Sequence, residues 1–214
     1  NDLKLGEAVV VAKRKRDDAT TAYSINRTTL DNQQIINLSD ISTLLPGGKS
    51  VNPSLMNDRR MSLRSASSER GNASFGTAIE VDGVRLNNNS TTGESLGAST
   101  RTLSASNIES VEIVAGIPSV EYGDLSNGIV KVNTRRGRSP FIIEGSVNQH
   151  TRQLAVNKGF SVGQDGGVIN LSFEHACSFS DAASPYTAYQ RNAFSLNYLN
   201  VVMKNRLPLT LNVG

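Results

Sequence analysis

The feature that most constrains the fold is an alternation of apolar and polar residues in the part of the chain that follows Pro140. A period of two places one set of side chains on each face of a β-sheet. Strands of about 10 residues with one apolar and one polar face are typical of a transmembrane β-barrel. A half-buried soluble sheet has the same pattern, so the alternation alone leaves both structures open and favours the soluble one. The apolar rows are Phe141, Ile143 and Val147; Ile169, Leu171 and Phe173; Phe194, Leu196 and Tyr198; and Leu207, Leu209, Leu211 and Val213.

The chain holds too few of these strands to close a barrel. Four or five strands fit between Pro140 and Gly214, whereas a closed membrane barrel needs at least about 8. Because the chain begins at Asn1 rather than at a methionine and ends inside a strand-like run, we expect it to be part of a longer protein. Open strand edges recruit partners, so this part alone is predicted to self-associate or to rearrange its sheet.

The part before Pro140 has the pattern of a small α+β domain with two helices. Thr28 or Thr29 is predicted to cap a helix that continues to Leu38, and Ser39 to cap a second helix that ends at Pro46. Asp82 and Gly83 predict a tight turn before Val84. The predicted strands are Ala8–Ala12, Met61–Leu63, Ala78–Val81, Ile108–Val114 and Ile129–Val132.

The composition excludes several classes of protein. A single cysteine, Cys177, rules out an internal disulfide framework. The formal net charge of +3 is too mild for a nucleic-acid-binding face, so no nucleic-acid partner is expected. The basic clusters at 13–16 and 135–138 are interpreted as solvated flanks. The sequence has no run of about 18 apolar residues, which a membrane-spanning helix would need.

The residues that carry enzyme chemistry do not form a recognisable site. The stretch from Leu45 to Ser50 ends like a phosphate-binding loop, but Thr43 stands where its first glycine is required. His175 and Cys177 lack a second ligand pair, so no metal site is predicted. The sequence contains no Gly-x-Ser-x-Gly elbow and no acid–base constellation. We therefore expect no catalytic residues, no cofactor and no enzyme activity.

The most specific motif lies between Ile108 and Arg136. A β-rich run ends at Gly116 and Pro118 fixes a turn, after which Tyr122-Gly123 forms a tight loop and Gly128 opens a second β-rich run. This block resembles the plug domain of TonB-dependent outer-membrane receptors, which has Ile-Glu-x-Val-Glu-Val, Gly-Pro, Tyr-Gly and Gly-Val-Ile-x-Ile-x-Thr-Lys in this order. Ile117 between Gly116 and Pro118, and Arg135 in place of lysine, depart from the pattern.

Three upstream segments extend the resemblance in the order expected for this family. They are Leu44-Leu45-Pro46-Gly47, Met61-Ser62-Leu63-Arg64 and Ile79-Glu80-Val81-Asp82-Gly83-Val84. The sequence from Tyr122 to Leu125 is similar to receptors of the Bacteroidetes type. The resemblance implies an α+β plug domain with a mixed sheet and two or more short helices, followed by antiparallel strands of a truncated transmembrane β-barrel. It implies three regions: 1–16, an extended N-terminal segment; 17–138, the plug; and 139–214, the first barrel strands.

In such a barrel the apolar rows face lipid. Ile169, Leu171 and Phe173 would then contact the membrane, and Asn170, Ser172 and Glu174 would face the lumen. The barrel of this family has about 22 strands. The resemblance therefore favours the barrel over the soluble sheet for the full-length protein.

The resemblance implies energised import of a ligand across the outer membrane. The periplasmic protein TonB binds an N-terminal segment of such receptors, the TonB box, and Glu7, Ala8, Val9, Val10 and Val11 resemble it. The contact would be β-strand addition, for which β-branched residues lower the ordering cost. The same run is also compatible with the first strand of the plug sheet.

Two polar segments, 65–76 and 85–99, are the candidate ligand-binding loops, because long loops in a compact domain are often functional. The ligand class stays open among a ferric chelate such as a siderophore, a glycan and a peptide. The alternative to a receptor is a secreted or surface β-rich binding module without transport. The candidate ligand-binding residues are Arg70, Asn72, Phe75, Asn87, Asn88 and Asn89.

Overall fold

The computed structural model describes residues 11–13, 21–45, 53–56, 61, 63, 77–86, 99–115, 122, 128–163, 166–180, 185–202 and 207–213. These residues form two β-sheets. Among them, no helix combines the length and apolar character needed to cross a membrane.

The first sheet is mixed and has the order β1-β2-β5-β6-β3-β4. Only β3 and β6 pair in parallel, and every other neighbouring pair is antiparallel. The prediction of a mixed sheet is confirmed. Its strands are β1 (Val11–Lys13), β2 (Thr21–Asn26), β3 (Ala78–Val81), β4 (Val84–Arg85), β5 (Ile108–Ala115) and β6 (Gly128–Thr134).

The helix following β2 is shorter than predicted. Helix α1 spans Arg27–Asp31, and its N-cap is Asn26, whose side-chain oxygen accepts from the backbone N–H of Thr29 at 3.0 Å. The prediction of a Thr28 or Thr29 cap and a helix to Leu38 was wrong. Because Asn26 satisfies an open N–H of the first turn, the helix begins earlier than the threonines suggest.

A 3₁₀ helix at Leu38–Leu44 stands where the second helix was predicted. Its N-cap is Asn37 rather than Ser39. Asp40 Oδ2 accepts from the backbone N–H groups of Ile36 and Asn37 at 3.2 and 3.0 Å. This carboxylate fixes the entry into the helix two residues before the predicted cap. Two further 3₁₀ helices lie at Ala105–Asn107 and Pro185–Thr187.

The turn between β3 and β4 has the predicted conformation. Asp82 and Gly83 have φ values of 52° and 88°, so both central residues of this two-residue hairpin loop have positive φ, as a type I′ turn requires. Asp82 Oδ1 also accepts from the backbone N–H of Thr134 at 2.9 Å. The turn is therefore bonded to the end of β6.

The first sheet and its helices enclose the main apolar core, and we call this unit the N-terminal domain. Met61 and Leu63 are buried in the core, but neither lies in a strand, so that strand prediction was wrong. Leu63 donates its backbone N–H to Thr77 Oγ1 at 2.8 Å, which is a side-chain partner instead of a strand ladder. The buried cluster is Ile25, Leu30, Leu38, Ile41, Met61, Leu63, Ile79, Ile108, Val111, Ile113, Val130 and Val132.

The second sheet is antiparallel throughout and has the order β11-β10-β9-β8-β7. Five strands agree with the number expected from the alternation. Among the described residues, the outer edges of β7 and β11 have no strand partner. The strands are β7 (Ile142–Val147), β8 (Thr151–Ser161), β9 (Val168–Ser178), β10 (Tyr189–Val202) and β11 (Leu207–Val213).

The faces of the second sheet are inverted relative to a soluble protein. Asn170 and Glu174 on β9 are buried against the N-terminal domain, whereas Phe173 between them is 47% exposed. In a soluble half-buried sheet the apolar face would be covered and the polar face hydrated. The polar residues of β9 that were predicted to face inward contact the N-terminal domain, and the apolar rows lie on the opposite face of the sheet. The predicted region boundaries at residues 16 and 138 stay predictions.

Candidate functional site

The polar face of the second sheet contacts the N-terminal domain, and this contact surface, which we call the interface, is the candidate functional site. Glu174 on β9 lies at its centre and is 0% exposed. Its Oε1 accepts from Nε and Nη2 of Arg191 at 2.9 and 2.6 Å. Its Oε2 accepts from Ser104 and Ser106 of the N-terminal domain at 2.6 and 3.0 Å, and from Gln153 of β8 at 2.7 Å. The buried carboxylate is thereby paired and hydrogen-bonded on both oxygens, as a buried charge requires.

Arg191 on β10 connects this carboxylate to the backbone of the N-terminal domain. Its Nη1 donates to the carbonyl oxygens of Arg101 and Leu103 at 2.8 and 3.0 Å. Its Nη2 donates to the carbonyl oxygen of Ile36 at 2.7 Å. One guanidinium thus holds together two segments of the N-terminal domain that are far apart in sequence. The planar donor set of arginine suits this geometry, which the single ammonium of lysine does not reproduce.

A second charged cluster lies where the chain passes from the first sheet to the second. Nη2 of Arg27 lies 3.1 Å from both carboxylate oxygens of Glu144 on β7, and Nη2 of Arg135 lies 2.6 Å from Glu144 Oε1. Arg27 also donates to the carbonyl oxygen of Ile108 at 2.8 Å and to Asp31 at 2.6 Å. Two arginines from the N-terminal domain therefore share one carboxylate from the first strand of the second sheet.

Amide and hydroxyl side chains complete the interface. Asn197 Nδ2 donates to the carbonyl oxygen of Arg135 at 2.7 Å, and Ser178 Oγ accepts the backbone N–H of Leu55 at 3.0 Å. Most of these bonds run from a side chain of the second sheet to the backbone of the other unit. Similar contacts join Thr151 to Pro53, Asn148 to Pro53, Asn170 to Gly137 and Asn157 to Ser139.

The apolar part of the interface is small. Ile36 and Leu55 of the N-terminal domain pack with Ala176 and the partly buried Tyr189 of the second sheet. A neutral hydrogen bond contributes only about 0.5–1.5 kcal/mol net, and one to a charged group about 1.5–3 kcal/mol, because water replaces the bond when it breaks. The interface can hold two surfaces in a fixed register and still be remade with water. This property suits a contact that opens and closes.

Two clefts flank the interface. The larger, of about 1120 Å³, lies between α1 and β7 and is lined by Arg27, Arg135, Arg136 and Arg138 together with polar residues. The smaller, of about 360 Å³, lies between the β3–β4 hairpin and strands β9 and β10. Neither cleft contains a nucleophile–base pair or an acid–base pair among the described residues.

One lysine of the N-terminal domain has a shifted pKa. The hydrogen bond that the Lys131 ammonium donates to the Tyr122 hydroxyl oxygen raises the pKa of Lys131 above its ordinary value of 10.5, although partial burial opposes this effect. The Lys131 ammonium lies 4.8 Å from the centre of the Tyr122 ring. Glu80 and Glu112 occupy the cross-strand positions on either side and add to the increase. The group is a stabilising contact of the first sheet and lies outside the interface.

The predicted site residues lie largely outside the described residues. Of the predicted TonB box, only Val11 is described; it begins β1 and pairs with Ser24 of β2. The remainder, Glu7, Ala8, Val9 and Val10, and the predicted ligand-binding residues Arg70, Asn72, Phe75, Asn87, Asn88 and Asn89 all lie outside the described part of the chain.

Sequence reasoning did not single out the charged residues of the interface. Glu174 was predicted only to face the lumen, and neither Arg27 nor Arg191 was identified. Arg135 was interpreted as part of a solvated basic flank, but it is 5% exposed and its Nη2 lies 2.6 Å from Glu144 Oε1, so that interpretation was wrong for this residue. A signal was present, because Glu144, Glu174 and Arg191 are charged residues inside strands whose other face is apolar. In the described part of the chain, no group of three or more His, Cys, Asp or Glu residues could hold a metal ion.

Comparison with known proteins identifies the family of the N-terminal domain. The family model of the TonB-dependent Receptor Plug Domain matches residues 14–130, more than half of the chain. A search of curated proteins found no match.

Two solved structures of receptors are similar in fold to this chain. The pyoverdine outer membrane receptor FpvA from Pseudomonas aeruginosa PAO1, bound to pyoverdine, has a TM-score of 0.62 and 11% identity, covering 88% of this chain and 26% of that chain. The ferric yersiniabactin uptake receptor FyuA from Yersinia pestis has a TM-score of 0.53 and 16% identity, covering 83% of this chain and 27% of that chain. The chain therefore spans about a quarter of the length of these structures, and the likeness extends past the plug into the second sheet.

Proposed function

Because this chain belongs to the TonB-dependent receptor plug domain family, we propose that it is the plug and first barrel strands of an outer-membrane receptor that imports a ligand with energy supplied through TonB. The family is one of receptors, which supports the prediction that the protein is not an enzyme. The N-terminal domain would close the barrel, and the second sheet would be part of the barrel wall.

The inverted second sheet is the observation that carries this proposal. Its polar face binds the N-terminal domain through Glu174, Arg191 and Glu144, while its apolar face has no cover among the described residues. A barrel wall in a membrane needs this distribution, with lipid outside and a polar interior. A secreted binding module would cover its apolar face with its own chain.

The polar interface supports a gating role for the N-terminal domain. Import requires the plug to move or rearrange, and hydrogen bonds that water can replace allow such movement at small net cost. Opening an apolar interface would cost about 25 cal/mol for each Å² of apolar surface that becomes exposed to water. The bonds of Arg191 and Glu144 would then be broken or remade during transport.

We propose Glu7–Val11 as the TonB-binding segment. Val11 lies at an edge of the first sheet, since β1 pairs only with β2 among the described strands. The segment preceding an edge strand can supply backbone donors and acceptors to another sheet.

The TonB contact can be tested by replacing Val10. Val10→Pro removes a backbone donor and should abolish capture of the full-length receptor by the periplasmic domain of TonB in a pull-down. Val10→Thr keeps the donor and the β-branched side chain and should bind as the parent does. Equal capture of both variants would contradict the assignment.

The imported ligand is proposed to be a ferric siderophore, with a glycan or a peptide as other possibilities. The siderophore receptors FpvA and FyuA share the fold. Arg70, Asn72, Phe75 and Asn87–Asn89 are the proposed ligand contacts. The Bacteroidetes-type origin stays a prediction.

The import function can be tested by deleting the full-length gene. Uptake of labelled ferric siderophores, oligosaccharides and peptides by the deletion strain is compared with that of the parent strain. Loss of one class of uptake that the intact gene restores, but the Val10→Pro gene does not, supports energised import. Unchanged uptake of all classes favours the surface binding module.

A further inference from the structure

The outward face of the second sheet, opposite the interface, is apolar over most of its area. Its exposed members include Ile143, Val147, Leu154, Phe173, Phe194 and Leu211. This face extends across all five strands, and its exposed members have no cover among the described residues of the chain. Such a face requires a partner, since exposed contiguous apolar surface marks an interaction site.

The apolar character ends along a defined line near one end of the sheet. On β8 the outward residues change from Leu154 to Arg152, and on β9 they change from Phe173 to His175. On β10 the change is from Phe194 to Asn192. Arg152, His175 and Asn192 are all exposed.

On β7 the apolar character persists to the last residue of the strand. Val147 is 70% exposed and pairs with Arg152 of β8. At this one level of the sheet, β7 is therefore apolar where β8 is already charged.

The line crosses the register of the sheet obliquely. Val147 pairs with Arg152, and Leu154 pairs with His175, so each apolar residue stands beside a polar one on the next strand. Phe173 pairs with Phe194, and the line stays level between β9 and β10. Between β7 and β10, which are three inter-strand spacings apart, the position of the line shifts along the strands by at least four residues.

This slope corresponds to a plane that cuts tilted strands. Four residues are about 13 Å along a strand and three spacings are about 14 Å across the sheet, which gives an angle of about 43°. Strands of membrane barrels tilt by about 35–45°. A bilayer has a flat boundary, which must cross tilted strands with such a slope, whereas the surface of a protein partner has no reason to follow it.

The residues on the polar side of the line suit lipid headgroups. The Arg152 guanidinium lies 5.7 Å from the centre of the Phe179 ring, and His150 contacts the same ring edge-on at 6.4 Å. Aromatic and basic side chains are enriched where a membrane meets water. On the apolar side, Lys158 is the one charged outward residue of the described strands, and its long stem can lie along apolar surface.

We propose that this line is the edge of the hydrocarbon layer of the bilayer and that Arg152 contacts the phosphate groups of lipid headgroups just outside it. The proposal rests on the proposed outer-membrane function and adds the depth and tilt at which the wall is embedded. The occupant of the outward face is lipid.

The line can be tested with single cysteines in the full-length receptor, reconstituted in phosphatidylcholine vesicles, with Cys177 replaced by serine. Val147→Cys and Arg152→Cys are at the same level of the sheet, as are Leu154→Cys and His175→Cys. Each cysteine carries a nitroxide, whose collision rates with oxygen and with a water-soluble nickel complex are measured. We expect Val147 and Leu154 to favour oxygen, and Arg152 and His175 to favour nickel.

The two possible failures are distinguishable. If both members of each pair give the same ratio while Phe173→Cys favours oxygen, the oblique line is wrong but the membrane location stands. If Phe173→Cys and Phe194→Cys favour nickel, the outward face is in water and the proposed function fails as well.

The preference of Arg152 for a headgroup whose phosphate is not neutralised is tested by comparing phosphatidylcholine vesicles with and without phosphatidylglycerol, because both lipids carry a phosphate but only phosphatidylglycerol has a net negative charge. Added phosphatidylglycerol should raise the midpoint of thermal unfolding of the parent and of Arg138→Gln, an exposed arginine away from the outward face. The increase should be smaller in Arg152→Gln. An equal increase in all three proteins would show that Arg152 does not contact the headgroups.

Discussion

At the scale of single residues, Glu174 and Arg191 determine how firmly the two sheets are joined. Both side chains are buried, and together they contact three backbone carbonyls and two serine hydroxyls of the N-terminal domain. Removing one partner of such a pair leaves an uncompensated buried charge, whereas removing both does not. The pair therefore offers a test in which the double variant should lose less stability than the single variant.

We expect Arg191→Met to lower the free energy of unfolding of the full-length receptor by about 3–5 kcal/mol, because Glu174 is left charged and unpaired. The double variant Arg191→Met with Glu174→Gln should recover a large part of this loss. Urea unfolding in detergent measures both values. A double variant less stable than Arg191→Met would show that the ion pair is not the source of the loss.

Gly128 is a second position where the addition of a single side-chain atom should lower the stability of the protein. Its φ is +117°, and an added Cβ would lie 2.3 Å from the carbonyl oxygen of Val114 on β5. Gly128→Ala should destabilise the protein by about 2 kcal/mol or more, since backbone strain and the steric conflict act together. Gly145→Ala, with nothing within 4 Å of the added atom, is the control and should change thermal stability little.

The contacts of single residues could be predicted only in part. The polar face of β9 followed from the alternation, so the inward position of Glu174 was predictable. Its partners were not, because Arg191 contacts Ile36 across 155 positions of sequence. Such pairing depends on how the two sheets pack, which no local pattern specifies.

At the scale of elements, strands were predicted more accurately than helices. The alternation of β9 and β10, and the Asp82-Gly83 turn, follow from a period of two and from positive φ, both of which the sequence shows directly. The predicted helix bounds were wrong because Ile35, Ile36 and Leu38 have the spacing of a helix but do not form one together. Ile36 lies in an irregular segment and packs against the second sheet. Spacing alone does not distinguish these structures.

The cap of α1 can be tested by Asn26→Ala. The side chain accepts from both the backbone N–H and the hydroxyl of Thr29, at 3.0 and 2.9 Å. Its loss should cost about 0.5–2 kcal/mol, and Asn26→Asp should retain most of the stability, because aspartate is an equally good cap. Thermal unfolding followed by circular dichroism checks the order of the three proteins. If Asn26→Asp loses as much as Asn26→Ala, the cap is not the cause.

At the scale of the whole molecule, the chain is an N-terminal domain hydrogen-bonded to a five-stranded antiparallel sheet. Both outer edges of the second sheet, on β7 and β11, lack strand partners among the described residues, and its outward face is apolar. The family match covers residues 14–130, and the fold shared with receptor structures, of which this chain spans about a quarter, extends into the second sheet. We therefore expect the open edges and apolar face of the second sheet, and not the N-terminal domain, to limit the stability of the chain when it is outside the proposed receptor.

We propose that the 214-residue chain self-associates when it is produced alone, because open strand edges and an apolar face both recruit copies. Light scattering should show large oligomers in buffer and smaller particles in mild detergent. A chain ending at Arg138, without the second sheet, should be less aggregated in buffer. A monomeric full chain in buffer would contradict the exposed apolar face.

The contacts of Arg191 also have a consequence for the order in which the receptor is built. The carbonyl oxygens of Ile36, Arg101 and Leu103 come together only when the N-terminal domain has its native shape. A misfolded domain would leave the guanidinium and its carboxylate stranded in a poorly hydrated space. In the proposed receptor, a barrel that closes around an unfinished domain would therefore be less stable than one that closes around a finished domain, and this difference would act as a checkpoint during assembly.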